Sequence, residues 1–401
     1  IAFFGQATWN INEDLSLTLG LRYSDEEKSA DYIPDFHNPF SDITLPELSD
    51  TYLAAVLTGA GAIPPGSGIG TVNQILAGTR AAAAAGVVSA QQAVGGAAAL
   101  TAAGNGLQLT IPYDPFTSNY ADDNISGTVS VNYQFSEDLS GYARFARGYK
   151  SGGLNLDRAG PSTSPGNPTA DPSAPIFRPE LVDSLEFGLK SRLMDNRLQL
   201  NAALFFQELE DYQFQSFVGT AFVVRNAAKT EGKGLELDFA FKPTENWFVS
   251  GGVVWQDVNY DQFPDGPLTV AQAVAGQAAN TNDLSGEKVV QASDLSASLL
   301  VAYNQPISET LELTANINGT YRSDFFRQAA NEPLSEQNIS LLNASIGIGE
   351  QDGAWALELW VKNITEDENY SSFSSTFQAN SLSAFVVQAP RTYGLTAKYN
   401  F

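Results

Sequence analysis

Residues able to do covalent chemistry are nearly missing from this chain of 401 residues. It has no cysteine and one histidine, His37, in the segment PDFHNPF. Without cysteine there is no disulfide framework, no thiolate nucleophile and no thiolate metal ligand. A serine hydrolase needs a histidine base, and a catalytic zinc site usually takes several histidines. One histidine near the start of a long link supplies neither. We therefore expect no enzymatic activity, no resident metal and no cofactor. Carboxylates are the next option. They gather at Asp25-Glu26-Glu27, Asp122-Asp123, Glu208, Glu210-Asp211, Asp257, Asp261, Asp265 and Glu366-Asp367-Glu368. Hard cations such as Ca²⁺ take such oxygens, but the twelve-residue calcium-loop pattern is absent, and solvated charge is the expectation.

One run remains with both ligand-binding side chains and glycines: Arg147-Gly148-Tyr149-Lys150-Ser151-Gly152-Gly153-Leu154-Asn155. Arg147, Tyr149, Lys150 and Asn155 are candidates for contact with a ligand whose identity the sequence does not disclose. The glycines could admit a close backbone approach, or could let a strand bend into a loop. Both readings stay open. A phosphate loop is excluded, because the strand–glycine–helix context and the terminal Lys-Ser/Thr order are lacking. Nucleic acid is excluded by charge. The balance of 21 basic against 45 acidic residues gives −24, where counterion displacement needs a basic stripe.

The elements that carry these residues repeat every two positions. Leu15, Leu17, Leu19, Leu21 and Tyr23 are apolar, and Ser16, Thr18, Gly20, Arg22 and Ser24 between them are small or polar. The same alternation holds at 125–134, 235–242 and 311–318. Successive side chains of a strand face opposite ways, so each segment has one apolar and one wet face. About thirteen such strands are expected, near 1–11, 14–28, 124–135, 138–150, 180–193, 196–211, 222–242, 246–258, 291–304, 309–323, 338–349, 354–365 and 389–401. Each covers the roughly 9–11 residues that a tilted strand needs to cross a bilayer. No uninterrupted apolar stretch suits a transmembrane helix. The alternating segments average to neutral hydropathy, as β-barrel strands do.

Short turns fall at 12–14, 136–138, 195–196, 243–245, 307–309 and 351–353. Long links fall near 29–123, 151–179, 212–221, 259–290, 324–337 and 366–388. Outer-membrane barrels place short turns on the periplasmic side. Aromatic residues cluster near strand ends: Phe3, Phe4, Trp9, Tyr133, Phe135, Trp247, Phe248, Trp355, Trp360, Tyr399 and Phe401. Such side chains favour a membrane–water interface.

With short turns below, the first and last strands both run toward the periplasm. Parallel end strands cannot close an antiparallel barrel. An open edge in lipid leaves backbone groups unpaired, at a cost on the order of tens of kcal/mol for a whole strand. The expectation is that an odd number of strands precedes Ile1.

Five stretches now resemble TonB-dependent receptors, in the family's order: GYARFARGYKSGGLN at 141–155, FRPELVDSLEFGLKSRLMDNRLQLNAALFFQELEDYQ at 177–213, VRNAAKTEGKGLELDFAFKPTENW at 224–247, WVKNITEDENY at 360–370 and APRTYGLTAKYNF at 389–401. The opening FFGQATWNINEDLSLTLGLRYS also fits. The resemblance covers nearly all the expected strands. It implies an all-β transmembrane antiparallel barrel of 22 strands, of which about thirteen lie here, 1–401 being its C-terminal part. It also implies a plug domain inside the barrel and a TonB-contacting segment at the N-terminus, both expected to lie outside this chain. The implied function is energised uptake of a scarce solute, such as siderophore-bound iron, a cofactor or an oligosaccharide, across the bacterial outer membrane. A passive porin-type channel and a barrel-anchored docking protein are the alternatives.

Further expectations follow. Tyr393, Leu395, Tyr399 and Phe401 share one face of the last strand and resemble the signal read by the barrel-assembly machinery. Outer-membrane lipid and lipopolysaccharide should touch the apolar faces. Arg22, Glu186, Lys190, Arg192 and Arg322 share parity with the polar set and should face the lumen. The Ala/Gly-rich link 29–123 reads as an extracellular lid or a docking surface for a partner, with a low-complexity insertion as the alternative, and short helices are expected between Val72 and Ala85 and between Ser89 and Ala103.

Overall fold

The computed structural model describes residues 1–33, 115–156, 171–218, 221–226, 229–269, 272, 282–327, 332–376 and 382–400. His37, the two expected helices and Phe401 lie outside these residues. The strands are β1 (Ala2–Asn10), β2 (Leu15–Tyr32), β3 (Phe116–Ser136), β4 (Leu139–Lys150), β5 (Gly153–Leu154), β6 (Ile176–Phe177), β7 (Glu180–Leu193), β8 (Leu198–Glu210), β9 (Gln213–Val218) and β10 (Ala221–Asn226). They continue with β11 (Lys229–Phe241), β12 (Trp247–Gln262), β13 (Leu295–Pro306), β14 (Leu311–Phe326), β15 (Glu336–Glu350), β16 (Trp355–Lys362), β17 (Tyr370–Thr376), β18 (Leu382–Val387) and β19 (Thr392–Tyr399).

Thirteen of them form one antiparallel sheet in the order β1-β2-β3-β4-β7-β8-β11-β12-β13-β14-β15-β16-β19. Every strand expected from the sequence overlaps a member of it. Three two-stranded ribbons, β5–β6, β9–β10 and β17–β18, stand in the long links outside the sheet. β1 and β19 each pair on one side, and the sheet is open between them.

Two boundaries differ from expectation. The segment expected as one strand over 222–242 is two. Asn226 ends β10, and its side chain serves other backbone. It accepts from the Arg178 amide at 2.9 Å and donates to the Asp211 carbonyl at 2.7 Å. β2 and β3 also run further outward than expected, pairing to Tyr32 with Phe116. Those two rings stack at 4.7 Å and 4°. Beyond the lipid both faces of a hairpin are wet, so the alternation that marks a membrane strand disappears there.

Register carries the apolar row across the sheet. Leu17 opposes Trp9 and Val131, Val131 opposes Ala143, Ala143 opposes Phe187, and Phe187 opposes Leu204. Leu204 opposes Leu235, which opposes Trp255. On β12 this row runs from Trp247 to Trp255. At about 3.4 Å per residue it extends about 27 Å along the strand. Tilted by about 40°, it covers roughly 21 Å of membrane depth, close to the apolar band of an outer-membrane barrel.

Aromatic rings close the row at both ends. Trp9, Tyr133, Phe135, Trp247, Tyr303, Trp355 and Tyr399 lie beside the short turns, with Trp247 and Tyr303 ring centroids 4.6 Å apart. Tyr23, Phe145, Trp255 and Tyr321 lie at the opposite end. Three residues grouped with the interfacial aromatics by sequence fall on the other face: Phe4 opposes Arg22, Phe248 opposes Ala302, and Trp360 opposes Gly394. Their even positions put them in the wet row.

The lumen-side row is polar and hydrogen-bonded. Asn316 donates to Ser345 at 2.6 Å, Asn343 to Asn318 at 2.8 Å and Asn201 to Asp238 at 2.9 Å. Arg22, Glu186, Lys190, Arg192 and Arg322 all stand in this row, as expected. Large rings on it are seated on glycines of the next strand. Tyr142 covers Gly188, Phe205 covers Gly234 and Trp360 covers Gly394, each a direct cross-strand pair. Spin labels at Leu17 and Leu313 in reconstituted membranes are expected to contact acyl chains, and labels at Thr18 and Thr314 to contact water. The reverse pattern would overturn the assignment of faces.

Candidate functional site

The run from Arg147 to Asn155 leaves the sheet at the outer end of β4, and its side chains divide between two surfaces. Arg147 stands in the apolar row's parity, one step beyond Phe145, opposite Asp183. Its guanidinium grips that carboxylate through two bonds, Nε reaching Oδ1 at 2.7 Å and Nη2 the other oxygen. A planar fork suits a carboxylate in this way. More charge continues the line outward. Lys229 lies 3.0 Å from Glu208, 3.2 Å from Glu231 and 3.6 Å from Asp261, and Lys233 lies 3.5 Å from Asp257. The switch from apolar to charged side chains along one face marks where lipid tails end.

The rest of the run is tied into a knot. Tyr149 and Tyr120 both donate to Asp122 Oδ2, at 2.8 and 3.1 Å. The Gly152 amide donates to the Tyr120 hydroxyl at 3.1 Å. Lys28, from the outer part of β2, donates to Ser151 Oγ and the Gly152 carbonyl, both at 2.7 Å, and covers the Tyr120 ring at 5.6 Å. Lys150 pairs with Glu180 at 3.6 Å, and Glu180 also accepts from the Gln213 amide at 2.8 Å.

Asn155 is 7% exposed, and both halves of its amide are used. Nδ2 donates to the Val224 carbonyl at 3.0 Å, and Oδ1 accepts from the Val224 amide at 2.8 Å. It acts as a short piece of strand edge for β10. The Tyr32 hydroxyl donates to the Asn155 carbonyl at 2.7 Å. The glycine question resolves at Gly152, where a Cβ would stand 2.5 Å from the Phe177 carbonyl and 2.6 Å from the Tyr120 hydroxyl. Glycine there lets the chain's own segments approach.

Sequence reasoning missed the partners of this knot. Arg178 binds Asp211 with Nε at 3.0 Å, and that carboxylate holds its guanidinium above its ordinary pKa. Tyr212 is pushed upward by burial and then by the Glu180 charge. It packs with Phe214, Tyr260, Phe263 and Leu284 in a small apolar cluster under the loop after β12. A second node is Asn363, in the left-handed region at φ 52°, which asparagine tolerates better than most residues. Its side chain accepts from the Asp367 amide at 2.9 Å and donates to the Asp367 carbonyl at 3.0 Å. At the C-terminus, Tyr393, Leu395 and Tyr399 stand in the outward row opposite Val361, Leu359 and Trp355.

Residues 1–364 match the family described as "TonB dependent receptor-like, beta-barrel". The pesticin receptor of Yersinia pestis is 30% identical over 142 residues, which are 35% of this chain and 19% of that protein. The catecholate siderophore receptor Fiu of Escherichia coli K12 is 28% identical over 170 residues, 40% of this chain and 20% of that protein. Among solved structures, the ferric yersiniabactin uptake receptor FyuA from Yersinia pestis superposes with a TM-score of 0.63 at 15% identity, covering 100% of this chain and 45% of that one. The closed form of the ferric-catecholate import receptor Fiu gives 0.59 at 16% identity, covering 100% and 44%. The chain thus spans under half the length of these relatives, and at such identities the structural likeness speaks for the fold.

Proposed function

Because the chain belongs to the TonB-dependent receptor-like β-barrel family, matched over residues 1–364, we propose that it forms the wall and outer rim of an importer in the bacterial outer membrane, moving a scarce ferric chelate inward. The observation that carries this reading is the pairing of a lipid-facing apolar band with a hydrogen-bonded wet row, topped by a rim tied together across distant segments. A barrel of the family's size leaves room for a plug. The rim then captures solute, the plug blocks free diffusion, and the TonB complex supplies the work that opens a path.

The relatives' names favour iron chelates over oligosaccharides. One is a ferric yersiniabactin uptake receptor and another a catecholate siderophore receptor. Family members are transport receptors, and the chain's part in transport is to bind and to seal. Lipopolysaccharide is proposed to meet the charged line above the apolar band. The barrel-assembly machinery is proposed to read Tyr393, Leu395, Tyr399 and Phe401.

Growth on iron tests the proposal. A deletion strain supplied with a panel of ferric siderophores is expected to lose growth on at least one that the parent uses. The same loss is expected in a parent lacking TonB. Uptake that survives loss of TonB would overturn the energised reading in favour of passive diffusion.

A further inference from the structure

The lumen-side row changes character along the sheet. On β4, β7 and β11 it carries full charges: Arg144, Glu186, Lys190, Arg192, Glu236 and Asp238. Arg144 donates to Thr128 Oγ1 at 3.2 Å, and Asn201 donates to Asp238 at 2.9 Å. The Tyr142 hydroxyl donates to Glu186, and the Lys190 ammonium lies 5.5 Å from the Tyr142 ring centroid.

The other side of the sheet differs. On β13, β14 and β15 the lumen-side positions run from Ser296 to Asn304, from Thr314 to Thr320 and from Ile339 to Gly347, and every one is uncharged. Register sets them side by side. Asn318 stands between Leu300 and Asn343, and Asn316 between Ala302 and Ser345. The three strands form a neutral sector of the wall.

A ladder of hydrogen-bonding side chains climbs β14 through Thr314, Asn316, Asn318 and Thr320. Its rungs are alternate residues of a strand, spaced about 7 Å apart. Each of its two amides is half used. Asn316 Nδ2 donates to Ser345 Oγ at 2.6 Å, and Asn318 Oδ1 accepts from Asn343 at 2.8 Å. Asn343 is itself fixed, its Oδ1 accepting from the Asn363 amide at 2.9 Å. The bonded halves hold the rungs in place. The other halves, Asn316 Oδ1 and Asn318 Nδ2, have no partner among the described residues, and both side chains are half-buried. A fixed acceptor is thus followed by a fixed donor one rung further out.

Passage needs binding strong enough to admit a solute, yet weak and repeated enough to release it. Hydrogen bonds to charged groups are about twice as strong as neutral ones. The charged sector therefore suits firm attachment, and the neutral sector suits sliding. We propose that the transported solute crosses the barrel along β13, β14 and β15, its amide and hydroxyl groups passing from rung to rung of this ladder. The proposal rests on the uptake reading and deepens it, since it names the part of the wall that the solute touches on its way in.

The chain contains no cysteine, so single cysteines placed in the full-length protein can be labelled one at a time. Asn318→Cys is compared with Gln207→Cys, on the lumen side of β8 between Ser184 and Gly232. The probes are a bulky maleimide and a radiolabelled ferric siderophore that the parent strain imports. Labelled Asn318→Cys is expected to import at least about fivefold more slowly than the same protein unlabelled, and labelled Gln207→Cys to keep its rate. Binding of the chelate to de-energised cells should be unchanged by either label, which separates passage from capture. Charge without bulk should act alike: Asn318→Asp and Asn318→Lys slow uptake, and Asn318→Gln does not. Equal slowing by the two labels, slowing at position 207 alone, no slowing at either, or an Asn318→Cys that takes no label would overturn the lane. Failure of the unlabelled parent to import any ferric chelate would overturn the uptake reading itself, and the lane with it.

Discussion

Leu237→Arg is expected to lower the stability of the folded barrel by about 2–4 kcal/mol, the cost of placing arginine against lipid near mid-depth. Leu237 lies on the outward row of β11, between Ala202 on one side and Val253 on the other. The belt there runs from Phe241 near the short turn to Leu235, and charge resumes only at Lys233. Arginine at 237 is four residues from the nearest charged position of the row, Lys233, too far for its head to reach water without thinning the membrane. One residue earlier, Glu236 faces the lumen, and Glu236→Arg is expected to cost under about 1 kcal/mol because both charges are hydrated there. Reversible urea unfolding of each variant in liposomes checks the contrast. Equal losses at 236 and 237 would mean that lipid does not distinguish the two faces.

The second large effect is expected at Gly188. Replacing glycine by alanine in a strand ordinarily gains stability, by up to about 1 kcal/mol, because the unfolded chain loses freedom. Here the sign should reverse. A Cβ at 188 would overlap the Tyr142 ring, and Tyr142 is held in place by the bond from its hydroxyl to Glu186. The ring cannot withdraw without giving up that bond and its seat on the strand. Gly188→Val is therefore expected to cost about 1–3 kcal/mol, as overpacking does, and Gly188→Ala somewhat less. Adding Tyr142→Ala should remove most of the penalty, giving a coupling that a double-mutant cycle measures. A stabilising Gly188→Ala would show that the ring moves aside freely. Gly394 beneath Trp360 should behave in the same way.

The sequence made the wall legible because a wall has one dry and one wet face, and that difference is written at every second residue. The thirteen strands and the parity of Arg22, Glu186, Lys190 and Arg322 follow from it directly. The alternation stops where lipid stops. Above that depth β2 continues through Ser29-Ala30-Asp31-Tyr32 and β3 begins at Phe116, with no apolar period, and the sequence offers nothing there to separate strand from loop. Aromatic residues misled for a related reason. Trp360 and Phe248 lie near strand ends, as interfacial rings do, yet their even register sends them to the lumen, where Trp360 sits on Gly394.

Little of the candidate site was legible. Arg147, Tyr149, Lys150 and Asn155 adjoin in sequence, but the structure assigns Arg147 to the outward face and the others to the knot. Their partners Asp122, Glu180 and Val224 come from segments that no local pattern connects.

The knot at the end of β4 also bears on how the outer ends of the strands are held together. Through Asn155 the segment after β4 grips Val224, through Lys28 it is gripped by the outer part of β2, and through Ser151 and Arg178 it shares Gln213 at 3.0 Å each. Each of these bonds joins segments far apart in the chain, so removing one side chain, such as that of Gln213 or Asn155, takes support from several strands' outer ends at once.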